Sequence, residues 1–175
     1  MKHSGLVFII MGVASTGKST VGSEFAKKIA AKFIDGDDLH PKANVLKMSH
    51  GQALTDDDRA PWLERIRDAA FSIEKKNELG VIVCSALKKA YRDSIREGNS
   101  NVVFLHLHAD KEIVAKRMQD RAGHFMPVSL LASQYETLEM PTSEELNTHY
   151  IDIDHTFDEV VEACVQVSLT YLQDK

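Results

Sequence analysis

Short runs rich in apolar residues alternate along the chain with segments in which apolar residues recur every three or four positions. The apolar runs, at residues 6–12, 33–35, 80–86, 101–110 and 149–154, are typical of buried strands. Helical spacing follows each run; one example is Val21, Phe25 and Ile29. Strands that alternate with helices pair in parallel through right-handed crossovers. The pattern therefore predicts an α/β protein with a three-layer sandwich.

One connection in this pattern is too long for a tight turn. Residues from about 37 to 60 are polar and separate the second predicted strand from a long helical pattern. We expect them to form a helical insertion on the substrate side. No shift in composition divides the chain, so we expect a single domain over residues 1–175.

Composition narrows the function class only slightly. The 175 residues are 43% hydrophobic and 27% charged, which is ordinary for a globular protein. The net charge of −5 gives no general attraction to nucleic acid or to an anionic membrane, so neither is an expected partner. Cys84 and Cys164 lie in apolar segments and are expected to be buried thiols of a reducing compartment, which favours the cytoplasm.

The first apolar run leads into a phosphate-binding pattern. Residues 12–19 read GVASTGKS, which matches G-x-x-x-x-G-K-[ST] between a predicted strand and a predicted helix. The glycines allow successive backbone N–H groups to face phosphate oxygens, and the helix N-terminus adds its positive dipole end. Lys18 can reach the β- and γ-phosphates, and the Ser19 hydroxyl can ligate Mg²⁺. We expect the following consecutive residues to bind ATP: Gly12, Val13, Ala14, Ser15, Thr16, Gly17, Lys18, Ser19 and Thr20.

Other nucleotide-binding classes fit less well. No N-K-x-D motif for reading guanine follows a later strand. The run at 80–86 ends in Cys84-Ser85-Ala86 rather than in a metal-holding aspartate, and Asp110 after the fourth run is better explained as a helix cap. A small-molecule kinase needs an acid near the acceptor hydroxyl, basic groups around the phosphates and a lid that excludes water.

An acidic stretch directly after the second predicted strand supplies the acid. Asp35, Asp37 and Asp38 lie at the carboxyl edge of the sheet, where ligands of open α/β sheets collect. An aspartate-rich turn that caps the next helix is the alternative, and it suits Asp38 best. Three adjacent carboxylates repel one another, which favours a functional role for Asp37.

The phosphate-binding pattern and four further stretches together resemble the gluconokinase family. In chain order the stretches read DGDDLHP, LTDDDRAPWL, VCSALKKAYRD and RAGHFMP, and the resemblance extends over residues 8–154. It implies the fold shared with shikimate and nucleoside monophosphate kinases, a parallel sheet of five strands in the order 2-3-1-4-5. It also implies a cytoplasmic homodimer that transfers the γ-phosphoryl group of ATP to the 6-hydroxyl of D-gluconate with Mg²⁺.

The resemblance implies roles for individual residues on the acceptor side. Asp37 matches the acid that contacts the acceptor sugar and is the expected catalytic base, and Asp35 matches the residue near Mg²⁺, beside Ser19. His40 either binds a polyol hydroxyl or caps the following turn, and both remain open. Arg59 is the candidate for the gluconate carboxylate, because a guanidinium binds a carboxylate in a bidentate manner.

The residues that flank these candidates have structural expectations. Asp58 is expected to be the N-cap of the helix that bears Arg59, with Pro61 in its first turn. Lys88 is placed where it can reach substrate or the γ-phosphate, whereas Lys89 and Arg92 are expected to line the following helix.

A basic stretch at about residues 117–130 resembles the lid of these kinases. Arg117 is expected to stack on adenine, and Arg121 is expected to neutralise charge on the transferred phosphoryl group. A solvated basic helix face is the alternative. His106 and His108 share one side of a strand, but no third ligand is evident, so we expect two packed histidines rather than a metal pair.

Two other functions remain open from the sequence. One is a kinase of another small acceptor, such as an L-idonate-type stereoisomer or a shikimate-like acid. Shikimate kinases carry a glycine triplet where this chain has Ser85-Ala86-Leu87, which disfavours shikimate itself. The other is a nucleotide-binding regulatory module that has no acceptor.

Overall fold

Five parallel strands form one sheet at the centre of this computed structural model, which describes residues 5–120 and 128–172. The order across the sheet is β2-β3-β1-β4-β5, which confirms the expected order. The strands are β1 (Leu6–Met11), β2 (Lys32–Asp35), β3 (Leu79–Val83), β4 (Val102–His108) and β5 (Thr148–Asp152). Each of the five predicted runs contains or overlaps one of these strands.

The helices cover both faces of the sheet. They are α1 (Lys18–Lys28), α2 (Lys42–Ser49), α3 (Asp56–Lys75), α4 (Lys89–Arg96), α5 (Lys111–Asp120), α6 (Val128–Thr137) and α7 (Phe157–Leu172). A short 3-10 helix, Gly36–Leu39, follows β2 directly. Helices α1 and α7 pack together on one face, and α3 and α4 pack together on the other.

The central strand β1 supplies both cores because its side chains alternate between the two faces. Phe8 and Ile10 pack in the core that includes α1 and α7, whereas Ile9 packs with Trp62 and Ile66 of α3. All six residues of β1 are buried, as expected of a strand that has neighbours on both sides and helices above and below.

Helix α3 begins earlier than the sequence predicted. Thr55 is its N-cap and accepts the N–H of Asp58 at 3.1 Å, while the Asp58 carboxylate accepts the N–H of Thr55 at 2.8 Å. This reciprocal capping box makes Asp58 the third residue of the helix, so the expectation that Asp58 is the N-cap was wrong. Pro61 consequently lies inside α3 rather than in its first turn, where its missing N–H deprives the Asp57 carbonyl of an intrahelical donor.

Within residues 5–120 and 128–172, no helix is both long enough and apolar enough to cross a membrane. Cys84 and Cys164 are free and buried, as expected.

Candidate active site

The loop between β1 and α1 has the backbone that phosphate binding requires. Ser15 and Gly17 adopt left-handed conformations, with φ of 64° and 85°. Gly12 has φ of 145°, and a Cβ at this position would lie 2.4 Å from the Leu107 carbonyl oxygen of β4. The absence of a side chain at Gly12 lets the loop pass close over β4 and lead into the N-terminus of α1. Backbone amides in this arrangement bind anions.

Lys18 holds its ammonium group within this loop. Its Nζ donates to the Val13 carbonyl oxygen at 2.8 Å. Burial lowers the pKa of Lys18 to about 8, against the opposing effect of the nearby Asp37 and Asp35 carboxylates. Because this ammonium group is poorly solvated, anionic phosphate oxygens that approach it would stabilise its charged form strongly.

The acidic stretch after β2 folds around Asp35. The Asp35 carboxylate caps the 3-10 helix by accepting the N–H of Asp37 at 3.0 Å, and it accepts the Ser19 hydroxyl at 3.4 Å. The residue that caps is therefore Asp35 and not Asp38. Ser19 and Asp35, the two expected metal ligands, thus present neighbouring hard oxygen atoms, the donor type that Mg²⁺ prefers.

Asp37 is held near both Lys18 and His40. Its pKa is raised by burial and by the negative charge of Asp35, while His40 and Lys18 oppose the rise. Its position depends on Gly36, where a Cβ would lie 2.2 Å from the Val83 carbonyl oxygen of β3. The Gly36 carbonyl also accepts the indole N–H of Trp62 at 2.7 Å, which fixes the 3-10 helix to α3.

Two clefts flank the phosphate-binding loop. We call the one of about 480 Å³ the acceptor-side cleft; it is lined by Ala14, Gly17, Lys18, Ser19, Thr20, Asp37, Met48, Val83, Cys84, Ser85 and Gln134. The other, of about 290 Å³, is lined by Ser15, Thr16, Gly17, Thr20, Val21, Arg117, Asp120, His155, Phe157 and Val160. Arg117 donates to the His155 carbonyl oxygen at 3.0 Å. The second cleft thus combines a guanidinium with the half-exposed ring of Phe157, two groups on which a nucleobase can stack.

His40 is oriented by packing. Its ring stacks on Trp62 with centroids 4.2 Å apart and planes 15° apart, and its Nδ1 lies 3.3 Å from the Asn44 amide nitrogen. This ring nitrogen faces a side chain and not a backbone N–H, so the geometry does not favour the capping alternative. The pKa of His40 is lowered by burial and by Arg59, and Asp37 opposes this shift. The imidazole therefore lies within electrostatic reach of both Asp37 and Arg59.

Arg59 and Lys88 converge on a tyrosine that the sequence reading missed. Arg59 donates to the Leu54 carbonyl oxygen at 2.8 Å and to the Tyr91 hydroxyl at 3.4 Å. The Lys88 Nζ lies 5.5 Å from the centre of the Tyr91 ring and donates to the Asp56 carboxylate at 3.2 Å. Tyr91 also donates its hydroxyl to Asp56. The sequence signal for Tyr91 was an aromatic residue within a basic stretch after a strand.

Arg92 lies in α4, the helix in which it was expected, and the structure gives it a role that the sequence did not indicate. Its side chain is fully buried and forms a bidentate pair with Glu145, with N–O distances of 2.7 and 2.8 Å. It also donates to the carbonyl oxygens of Ala86 and Leu87 at 2.9 and 3.1 Å. Arg92 thus anchors the loop after β3 that carries Ser85 to the acceptor-side cleft. Lys89, by contrast, pairs with Asp93 on the helix surface.

The two histidines of β4 pack together, with ring centroids 4.9 Å apart. Burial and the neighbouring His108 lower the pKa of His106 to about 3. The described ranges contain no group of three metal-ligating side chains. Arg121 and the centre of the expected lid, residues 121–127, lie outside the described residues.

Comparison with known proteins gives consistent results. The shikimate kinase family model matches residues 14–168. The chain is 54% identical to the thermosensitive gluconokinase of Escherichia coli K12 over 172 residues, which are 98% of this chain and 92% of the relative. It is 44% identical to the thermoresistant gluconokinase of the same organism over 165 residues, 94% of each chain. A solved gluconokinase structure from Sinorhizobium meliloti 1021 superposes with a TM-score of 0.82 at 40% identity and 100% coverage of both chains.

Proposed function

The chain belongs to the gluconokinase family of ATP-dependent kinases, and from this premise we propose that it transfers the γ-phosphoryl group of ATP to the 6-hydroxyl of D-gluconate. The products are 6-phospho-D-gluconate and ADP. The observation that carries the proposal is the sequence of polar groups that leads from the phosphate-binding loop. Lys18 and Asp37 line the same cleft. The Asp37 carboxylate opposes the lowering of the His40 pKa by burial, and the Arg59 cation adds to that lowering.

This series of groups matches the chemistry of an aldonate. The primary hydroxyl binds at Asp37 beside the phosphates, the polyol passes His40, and the carboxylate binds Arg59 and Lys88. Asp56 already binds Lys88 and the Tyr91 hydroxyl, so the acceptor carboxylate would take the place of Asp56 at these two groups. Arg59 donates to the Leu54 carbonyl oxygen and to the Tyr91 hydroxyl, and its remaining N–H groups suit a carboxylate.

Asp37 acts as the base in the proposed reaction. Its carboxylate accepts the proton of the 6-hydroxyl as the hydroxyl oxygen forms a bond to the γ-phosphorus and the bond to the β–γ bridging oxygen breaks. A raised pKa makes Asp37 a stronger proton acceptor than an ordinary aspartate. The ammonium of Lys18 neutralises charge on the transferred group.

Ser19 and Asp35 would hold Mg²⁺ with the nucleotide. Their hydroxyl and carboxylate oxygens approach to 3.4 Å and suit a hard cation. When bound with the nucleotide, the ion would neutralise negative charge on the phosphates. On the nucleotide side, Arg117 binds the base in the cleft that it shares with Phe157.

A coupled assay of ADP release tests the proposal. We expect turnover with D-gluconate and much weaker turnover with an L-idonate-type stereoisomer, shikimate or AMP. Preference for one of these other acceptors would replace gluconate as the substrate. ADP release that is the same with and without every acceptor would support a regulatory module instead.

The resemblance also leads us to propose a cytoplasmic homodimer. Two free, buried thiols suit a reducing compartment. Light scattering on a size-exclusion column tests the dimer, because a monomer mass at assay concentration would contradict it.

A further inference from the structure

Gln134 contacts the phosphate-binding loop from a distant part of the chain. It lies in α6, and its Oε1 accepts the backbone N–H of Ala14 at 2.6 Å. Two neighbours in α6 fix the helix in place: Leu131 is fully buried, and the Tyr135 hydroxyl donates to the Ala109 carbonyl oxygen at 2.7 Å. The Gln134 carboxamide is therefore held by its hydrogen bond to Ala14 and by the packing of α6 against the hydrophobic core.

The bond to Ala14 determines which way the carboxamide faces. A backbone N–H only donates, so the atom that meets it must be the amide oxygen. The Nε2 group, with its two N–H donors, then faces away from the loop amide. Within residues 5–120 and 128–172, no side chain or carbonyl accepts a hydrogen bond from Nε2.

Gln134 also lines one particular cleft. It lines the acceptor-side cleft with Lys18, Ser19 and Asp37, and it is not among the residues that line the Arg117 cleft. Of the three phosphates of ATP, the γ-phosphate is the one that faces the acceptor. A donor on this side is placed for the γ-phosphoryl oxygens.

We propose that Gln134 is a further catalytic residue, which holds the Ala14 amide through Oε1 and donates through Nε2 to the γ-phosphoryl group. This inference rests on the proposed kinase function and adds a γ-phosphate contact to it. A neutral donor suits this position because Lys18 already supplies the cation. The contact strengthens as negative charge spreads over the oxygens of the transferred group.

Gln134→Glu separates the two halves of the carboxamide. A glutamate keeps the oxygen that accepts the Ala14 N–H but replaces the donor with an anionic oxygen. We expect affinity for adenylyl imidodiphosphate, a non-hydrolysable ATP analogue, to fall about ten- to a hundredfold and affinity for ADP to change less than about threefold. With D-gluconate, kcat should fall at least about tenfold. Gln166→Glu, on the exposed face of α7, is the matched control and should leave all three values unchanged.

Calorimetric titration with both nucleotides decides the matter. Equal losses of affinity for ADP and for the analogue would overturn the proposal, because they would show that Gln134 only shapes the loop. Unchanged binding and unchanged kcat would overturn it as well. If Gln134→Glu does not fold, Gln134→Met removes both polar atoms at similar volume, and the same preferential loss of the analogue is expected. The nucleotide titrations need no acceptor, so a wild-type protein that fails to phosphorylate gluconate would contradict the proposed function and leave this test intact.

Discussion

Nucleotide binding should draw a proton from solvent above neutral pH, and Lys18 is the group that takes it up. In the free protein burial lowers the pKa of Lys18 to about 8. The phosphates of a nucleotide favour the charged ammonium and therefore raise its pKa in the complex. Between the two pKa values the complex binds one more proton than the free protein, so binding and proton uptake are coupled.

The size of the proton uptake follows from the pKa of Lys18 in the free protein. At about pH 9, a lysine of pKa about 8 is only about one tenth protonated, so binding should take up about 0.9 proton. At about pH 7 the same lysine is about nine tenths protonated and the uptake falls to about 0.1 proton. Affinity for the nucleotide should accordingly weaken as the pH rises through 8, because protonation is then part of the cost of binding.

Isothermal titration calorimetry measures this uptake directly. Titrations of adenylyl imidodiphosphate in two buffers of different ionisation enthalpy give the number of protons exchanged at each pH. Lys18→Arg is the matched control, since a guanidinium stays charged throughout this range and should abolish the uptake. An uptake that is the same at both pH values, or that survives in Lys18→Arg, would refute the assignment to Lys18.

Three further substitutions test the site and its support. Asp37→Asn keeps the shape of the side chain but cannot accept the proton, so kcat should fall roughly 10²–10⁴-fold while calorimetry shows nearly unchanged nucleotide binding; wild-type kcat would move the base to Asp35. In the proposed reaction Arg59 binds the acceptor carboxylate, and the loss of such a charged partner costs about 2–5 kcal/mol. Arg59→Ala should therefore raise KM for gluconate far more than KM for ATP in steady-state kinetics, whereas equal effects would assign Arg59 to the scaffold. Arg92→Met leaves the buried Glu145 carboxylate without its bidentate partner and should lower the free energy of unfolding by about 3–5 kcal/mol. Calorimetry should then show a fall in Tm of about 6–20 °C. A fall as small as that of a surface substitution would contradict the role of Arg92 as an anchor.

Much of the fold could be predicted from local pattern. The run at 6–12 is apolar at nearly every position because β1 has neighbours on both sides, and this strand was located to within one residue. The start of α3 was less predictable, because Thr55 and Asp58 are both good caps by composition. Only the reciprocal hydrogen bonds of the capping box decide between them.

The sequence indicated those parts of the candidate site whose residues are neighbours in the chain. The phosphate-binding loop and the Asp35–Asp37 stretch each lie within a few residues and follow a strand. Tyr91, Arg92 and Gln134 were missed as site or support residues because their partners are distant in the chain. Gln134 meets Ala14 at a separation of 120 residues, and Arg92 meets Glu145 at a separation of 53. A sequence read in local windows contains no signal for such pairs.

The central position of β1 has a consequence for the synthesis of the chain. Because β1 pairs with β3 on one side and with β4 on the other, its sheet neighbours are complete only when residue 108 has been added. Until residue 83 has been added, the six apolar residues of β1 have no partner on either edge, and until residue 108 has been added they still lack β4. An unpaired apolar strand is a template for association between chains, so newly made copies are most vulnerable to aggregation during this interval. Slower translation of the stretch between β1 and β4 would lengthen this exposure, whereas the folded protein covers β1 completely.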